Sequence, residues 1–385
     1  MRSVLIVLAL WSAGLGAAAQ FGKMSVLYDV LAETYAAHSG VGTGLMVSIV
    51  GIVGLIFGTT AGLLVARIGP KRAIVAALIL GAGVSAVQAF FPAYPVMMLT
   101  RVLEGVSHLA IVVVGPTAIA GVASERFQGL AMTLWSSFFG VTYAVLALVA
   151  PPLIGAAGPG ALFVGHAAWM AAVAAVLALL LPRDPAVRPV AFSGSLLRQH
   201  IEIYTSPRLA APAMGFVFYT VIYVALLTLL PPMMAQGQRA FVATGMPLMS
   251  IAVSLTLGVW LLSKVTAVAL VQGGFALGAL AAIGLWVFWG QGAATGFALL
   301  LAAAMGLVQG ASFATIPQLN ADAPDRARAA GAIAQLGNLG TTTGTPLLAL
   351  IVAGFGVNGL LLFIVPFCIC GIAVHWLQTR RRLAQ

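Results

Sequence analysis

The length of its apolar runs constrains this chain more than any other feature. Between short polar, glycine or proline breaks, the sequence divides into about twelve stretches near the ~20 residues that a helix needs to cross the hydrocarbon of a bilayer. They fall at 3–33, 42–66, 73–91, 95–123, 129–155, 160–181, 210–234, 243–263, 265–289, 293–318, 328–354 and 357–378. Of 385 residues, 62% are hydrophobic and 7% charged, whereas soluble domains carry roughly 25% charge. Lipid is therefore the expected solvent for most of the surface, and the mean hydropathy of +1.10 agrees.

The longest polar segment, PRDPAVRPVAFSGSLLRQHIEIYTSPRL at 182–209, divides the spans six and six. This predicts an all-α membrane protein with an N-terminal six-helix bundle over 1–181, a linker over 182–209, and a C-terminal six-helix bundle with a short basic tail over 210–385. With the N-terminus placed in the cytoplasm, Arg2, Arg67, Lys71, Arg72, Arg126, Lys264, Arg326 and Arg328 lie on one side, as do the arginines of the linker, Arg188 among them, and Arg380, Arg381 and Arg382. Only Arg239 lies in a loop on the other side, a strong positive-inside bias. Both termini are thus expected in the cytoplasm, in a bacterial inner membrane. The net charge of +10 comes from these short loop clusters. Nucleic acid is not an expected partner, because phosphate binding needs basic clusters on a solvated face. Cys368 and Cys370 support neither a disulfide framework nor a zinc site.

The N-terminal stretch MRSVLIVLALWSAGLGAAAQFGK has the layout of a cleavable signal. The apolar pattern continues through MSVLYDVLAETY, however, and cutting after the alanines would halve the first span. The stretch is therefore read as span one, with its alanines as close-packing contacts and Gln20 and Lys23 turned inward.

The halves echo one another. VLEGVSHLA at 102–110 in span four aligns with LVQGASFAT at 307–315 in span ten, matching Gly105 with Gly310 and Ser107 with Ser312. GLLVARIG after span two has a worn counterpart in GVWLLSKV after span eight. Parallel six-helix repeats are the build of one large transporter fold.

At these residues the chain resembles the major facilitator superfamily. The family's loop between spans two and three usually reads G-x-L-x-D-R-x-G-R-[KR], and GLLVARIGPKR supplies Gly62, Leu64, Arg67, Gly69, Lys71 and Arg72 as a cytoplasmic gate motif. Ala66 stands where the family has its aspartate and Pro70 where it has a basic residue, so the family's acidic latch is not expected here. LTRVLEG in span four is similar to the family's R-x-x-[QE]-G element and contributes Arg101, Glu104 and Gly105. Span five carries only part of an antiporter motif, PPLIGA at 151–156, which argues against a drug antiporter. The resemblance implies transport by alternating access, and a cavity in the N-terminal half lined by spans one and four.

Ionisable groups within spans cost at least roughly 2.5–3.5 kcal/mol each, so they normally face a cavity and a partner. Lys23 and Asp29 in span one and Arg101 and Glu104 in span four are the instances. At ~1.5 Å per residue, Lys23 lies ~15 Å and Glu104 ~14 Å inside the outer ends of their spans, while Asp29 and Arg101 lie nearer those ends, at ~6 Å and ~9 Å. Two ion pairs across the helices are expected, Lys23 with Glu104 and Asp29 with Arg101. His108 completes an i, i+3, i+7 face with Arg101 and Glu104 and suits a proton relay. A neutral histidine bonded to a neighbouring helix is the plainer alternative.

The C-terminal half has a polar stripe instead. Gln335, Asn338, Thr342 and Thr345 recur at helical spacing in span eleven, Tyr219 and Tyr223 lie at i, i+4 in span seven, and Gln309 and Ser312 lie at i, i+3 in span ten. Such groups suit a small organic ligand, and equally suit helix–helix contacts. A soft metal is the competing cargo: His166 and Met170 make an H-x-x-x-M in span six, and Met233, Met234, Met246 and Met249 cluster near spans seven and eight. A copper-importing branch of the family uses Met and His in spans seven and eight, where this chain has no histidine. Enzyme signatures are missing, including the phosphate loop G-x-x-x-x-G-K. The reading is therefore a monomeric secondary transporter without cofactors, moving a small solute with protons. A soft-metal importer and a non-transporting membrane sensor are the alternatives.

Overall fold

In hydrocarbon the backbone of a spanning segment must satisfy its own hydrogen bonds, and a helix does so internally. A computed structural model describes residues 2–38, 40–58, 60–123, 131, 134–135, 137–184 and 196–384. Among them every regular element is helical. Among the described residues eleven helices are long and apolar enough to span a membrane, or twelve if one bent pair is counted as a single span. Arg126, Arg188 and the middle of the 182–209 linker lie outside the described residues.

The helices fall into two compact units, Met1–Ala37 with Ile52–Ala191, and His38–Gly51 with Phe192–Gln385. The first unit contains α1 (Arg2–Val26), α2 (Tyr28–Thr34), α4 (Gly51–Phe57), α5 (Ala61–Ile68), α6 (Pro70–Gln88), α7 (Tyr94–Val122), α8 (Phe138–Ala157) and α9 (Gly160–Leu180). The second contains α3 (Gly40–Ser48), α10 (Leu196–Thr205), α11 (Ala210–Met233), α12 (Gln236–Val253), α13 (Val259–Leu262), α14 (Ala267–Val287), α15 (Ala293–Leu319), α16 (Ala323–Phe355) and α17 (Asn358–Leu383). A π-turn at Ser254–Gly258 joins α12 to α13.

Each unit pairs its helices in the same way. In the first, α1 packs on α7, α8 and α9, and α6 packs on α7 and α9. In the second, α11 packs on α15, α16 and α17, and α14 packs on α15 and α17. Small residues permit these approaches. A Cβ at Gly344 would meet the backbone of Val221, and one at Gly306 the backbone of Ser250, the close helix contact that small residues give in membranes. In α1 the alanines Ala17 and Ala18 are fully buried, and the helix runs through AAAQ without a break.

Two expected spans are interrupted. Span one is not one helix over 3–33: α1 ends at Val26, and Leu27 turns the chain into α2. Span two, expected over 42–66, breaks into α3, α4 and α5, with a bend of 58° between the first two. Its glycines let α3 approach α16 closely: a Cβ at Gly44 would meet the backbone of Pro346, and Ser48 Oγ donates to Thr342 O at 2.8 Å.

The amphipathic α10 is bolted to the second unit. Tyr204 donates its hydroxyl to Gln335 Oε1 at 2.7 Å, and Arg381 and Arg382 donate to the carbonyls of Thr205 and Pro207, each at 3.0 Å. Burial pushes the Tyr204 phenol up to about 12, so it remains a donor at neutral pH.

At the turn between α5 and α6, Gly69 has φ +96°. Asp184 packs against it and accepts the backbone N–H groups of Lys71 at 2.8 Å and Arg72 at 3.0 Å. A carboxylate thus caps the N-terminus of α6. It comes from the chain after α9, not from position 66, where the family pattern has its aspartate. Gly69→Ala should lower stability by about 1–3 kcal/mol, because alanine is strained at that φ and its Cβ would meet Asp184. Gly83→Ala, with no atom near its Cβ, should be neutral or stabilising. Thermal unfolding in detergent measures both.

Candidate functional site

The first unit buries a charged cluster where α1, α6, α7 and α9 meet. Lys23, Arg101 and Glu104 are all fully buried. Lys23 Nζ donates to Glu104 Oε1 at 2.5 Å and to Ser85 Oγ at 2.9 Å. Glu104 Oε2 accepts from Arg101 Nη1, one turn earlier on α7, and from Gln88 Nε2 at 2.9 Å. Both carboxylate oxygens are therefore occupied, and two cations share one carboxylate. With all three ionised the trio carries a formal charge of +1.

Helix geometry explains the assembly. Arg101 and Glu104 are three apart on α7, so they share a face. Lys23 sits in the last turn of α1, and Ser85 and Gln88 in the last turn of α6. Their neighbours are polar as well: Gln20 Nε2 donates to Ser107 Oγ at 2.9 Å, and Ser107 donates to Ala77 O at 2.7 Å. Gly16 and Gly81 let these helices close in, since a Cβ at either would meet the Met170 side chain.

His166 on α9 completes the cluster. Its Nδ1 lies 3.1 Å from Lys23 Nζ and 2.9 Å from Ser85 Oγ, and its Nε2 lies 3.0 Å from Gly16 O. A carbonyl only accepts, so Nε2 carries hydrogen and Nδ1 faces the lysine as an acceptor. One proton lies between the two nitrogens. Lys23 and His166 also border a cavity of about 250 Å³ between α1, α8 and α9, whose other walls include Val145, Leu146 and Trp169.

The expected residues are distributed differently from the sequence reading in several places. Lys23 meets Glu104, as the depth arithmetic requires. Asp29 does not meet Arg101: it is exposed on α2, beyond the Leu27 turn, and Arg101 binds Glu104 instead. His108 does not reach Glu104. Its Nδ1 bonds Ala17 O at 3.1 Å, and its ring stands edge-on to Phe21 at 5.1 Å. His166, with Met170 only a weak candidate for a soft metal, has its ring nitrogens engaged by Gly16, Ser85 and Lys23, and the adjacent ammonium opposes a metal cation. Met233 is half-buried and Met249 is 37% exposed. Among the described residues no group of three or more His, Cys, Asp or Glu stands ready for a metal.

In the second unit Tyr219 and Tyr223 stack, with centroids 5.2 Å apart and planes at 22°, and both are buried. Gln335 is held by Tyr204 and lies 3.3 Å from His200 Nε2. Asn338 donates to Ala334 O at 2.7 Å, within its own helix, and Gln309 is half-buried on α15. Thr342 lies against Gly51, and Gly62 and Arg67 lie in α5. Sequence reasoning missed Ser85, Gln88 and Asp184. A serine and a glutamine three apart in the apolar run VSAVQ were the available signal for the first two.

Removing one partner of a buried pair strands the other charge, at about 3–5 kcal/mol. Glu104→Gln should therefore destabilise strongly, since two cations remain. In a Lys23→Met background the same change should cost at least about 1 kcal/mol less. A double-mutant cycle of unfolding free energies measures this coupling, and additivity within about 0.5 kcal/mol would show that none exists.

The fold matches solved transporters. A bacterial homologue of the human lysosomal transporter Spinster, crystallised in an inward-facing and occupied conformation, superposes with a TM-score of 0.77 at 14% identity, covering 97% of this chain and 96% of that one. The inward-facing and unoccupied form of such a homologue gives 0.72 at 15% identity, covering 98% and 97%. No curated protein sequence matches significantly. The family model for the Major Facilitator Superfamily matches residues 6–336. Matched over most of its length by that family and built on a transporter fold, the chain belongs to the major facilitator superfamily, as an integral multi-pass membrane transporter and not an enzyme.

Proposed function

We propose that the chain is a secondary active transporter that moves a small organic solute by alternating access and couples it to protons at the Lys23–Glu104–Arg101 cluster. The observation that carries this reading is two buried cations on one buried carboxylate, with a neutral imidazole nitrogen 3.1 Å from the lysine. A net charge in a low-dielectric site is unfavourable. Loss of a proton from Lys23 leaves a neutral Arg101–Glu104 pair, and gain of one restores the charge. A site that holds one proton more or fewer without dismantling its hydrogen bonds is what coupling to an ion gradient needs. His166 takes the relay position that spacing alone gives to His108.

Alternating access would come from rocking of six-helix bundles over 1–181 and 210–385. In the first, Lys23, Arg101 and Glu104 would present charge, and in the second the stacked Tyr219 and Tyr223 with Gln309 and Asn338 would present rings and amide groups. The bias of basic residues supports cytoplasmic termini in a bacterial inner membrane, and a monomer suffices for this mechanism.

Thermal shift against organic acids, amines and amphiphiles, with Cu(I) and Zn(II) as comparison, identifies a stabilising cargo for proteoliposomes. An imposed pH gradient should then drive its accumulation in the natural protein. Lys23→Met, which leaves a neutral pair, should lose gradient-driven accumulation at least tenfold while keeping exchange of labelled for unlabelled cargo. Accumulation unchanged in both Lys23→Met and Glu104→Gln would remove these residues from coupling, and stabilisation by metal alone would overturn the organic cargo.

A further inference from the structure

A second cavity, of about 540 Å³, opens in the first unit where α6 begins and α9 ends. One part of its lining is cationic, contributed by Lys71, Arg72 and Arg183, with Asp184 the one carboxylate among the lining residues. That carboxylate is already engaged: its oxygens accept the N–H groups of Lys71 and Arg72, and Arg72 Nε stands 4.0 Å away. Lys71 Nζ donates to Leu181 O at 2.7 Å, and the Arg72 side chain is 74% exposed. The formal charge of this lining is +2.

The other part is apolar and faces outward. Ile79 is 60% exposed on α6, and Ala178 lies opposite on α9, beside Leu179 at 82% exposure. From Arg72 to Ile79 the wall extends ~10 Å along the helix. Exposed apolar side chains on spanning helices face lipid tails, so the cleft joins a cationic mouth to a hydrocarbon-facing trough. A soluble organic anion would use only the mouth, and an uncharged lipid only the trough. We propose that this cleft binds an anionic phospholipid, with its phosphate at Arg72, Arg183 and Lys71 and an acyl chain along Ile79 and Ala178. Basic pockets between spanning helices recognise headgroups in this manner. The bound lipid would tie α6 to α9 and to the chain leaving α9.

Native mass spectrometry of the full-length protein in nonionic detergent tests the site, with phosphatidylglycerol, phosphatidylcholine of the same chains, and glycerol 3-phosphate as probes. Phosphatidylglycerol should bind tightest, and Arg72→Gln and Arg183→Gln should each weaken it about fivefold without changing phosphatidylcholine. Ala178→Trp, which fills the trough and leaves the charges, should weaken phosphatidylglycerol too. Thermal unfolding confirms that each variant is folded. Equal binding of the two lipids, equal binding of glycerol 3-phosphate, or phosphatidylglycerol binding unchanged in all three variants would overturn the proposal.

Discussion

A carboxylate held in hydrocarbon between two cations sets the terms for the first unit. Glu104 is buried, and both of its oxygens are engaged. Arg101 meets it from its own helix, and α1 must bring Lys23 to it and α6 must bring Gln88. Those approaches need small residues, and α1 supplies them: Gly16 and Gly22 abut Met170 and Leu146, and Ala17 and Ala18 are fully buried. The sequence AAAQFGK therefore combines close packing with the polar residues that the packing brings together. Ser85 and His166 follow from the same requirement, since an ammonium has three donors to satisfy.

The second unit repeats the helix pairing without repeating the charges. Glu104 on α7 corresponds by sequence to Gln309 on α15, and Ser107 to Ser312, both serines buried. Hydroxyls, amides and the stacked tyrosines take the place of ions. Backbones approach one another directly there, at Gly344 with Val221 and Gly306 with Ser250.

Much of this was legible in the sequence because charge in an apolar run is rare and costly. Lys23, Arg101 and Glu104 stand out on that ground, and counting residues at helical rise brought Lys23 to the depth of Glu104. The same count failed for Asp29 because it assumed one helix over 3–33. The turn at Leu27 releases Asp29 to the surface, and its signal is weak, lying in MSVLYDVLAETY without glycine or proline. The break in span two was more visible, in glycines at 40, 42, 44, 51, 54 and 58. Sequence reasoning named His166 only as a weak metal candidate. Spacing on one helix ranks His108 beside Glu104, whereas contact across helices depends on rotation, which apolar runs on all faces do not encode. Asp184 was missed because it acts on a glycine turn 115 residues earlier in the chain, at Gly69.

The central claim, that Glu104 is an ionised buried carboxylate engaged by Lys23, is tested most directly by infrared spectroscopy of the purified protein at neutral pH. The difference spectrum against Glu104→Gln should show carboxylate stretches and no carbonyl absorption of a carboxylic acid. In Lys23→Met, where a hydrogen-bond donor to Oε1 is lost, those stretches should shift. A carboxylic-acid carbonyl that disappears in Glu104→Gln, or carboxylate stretches that do not move in Lys23→Met, would contradict the claim.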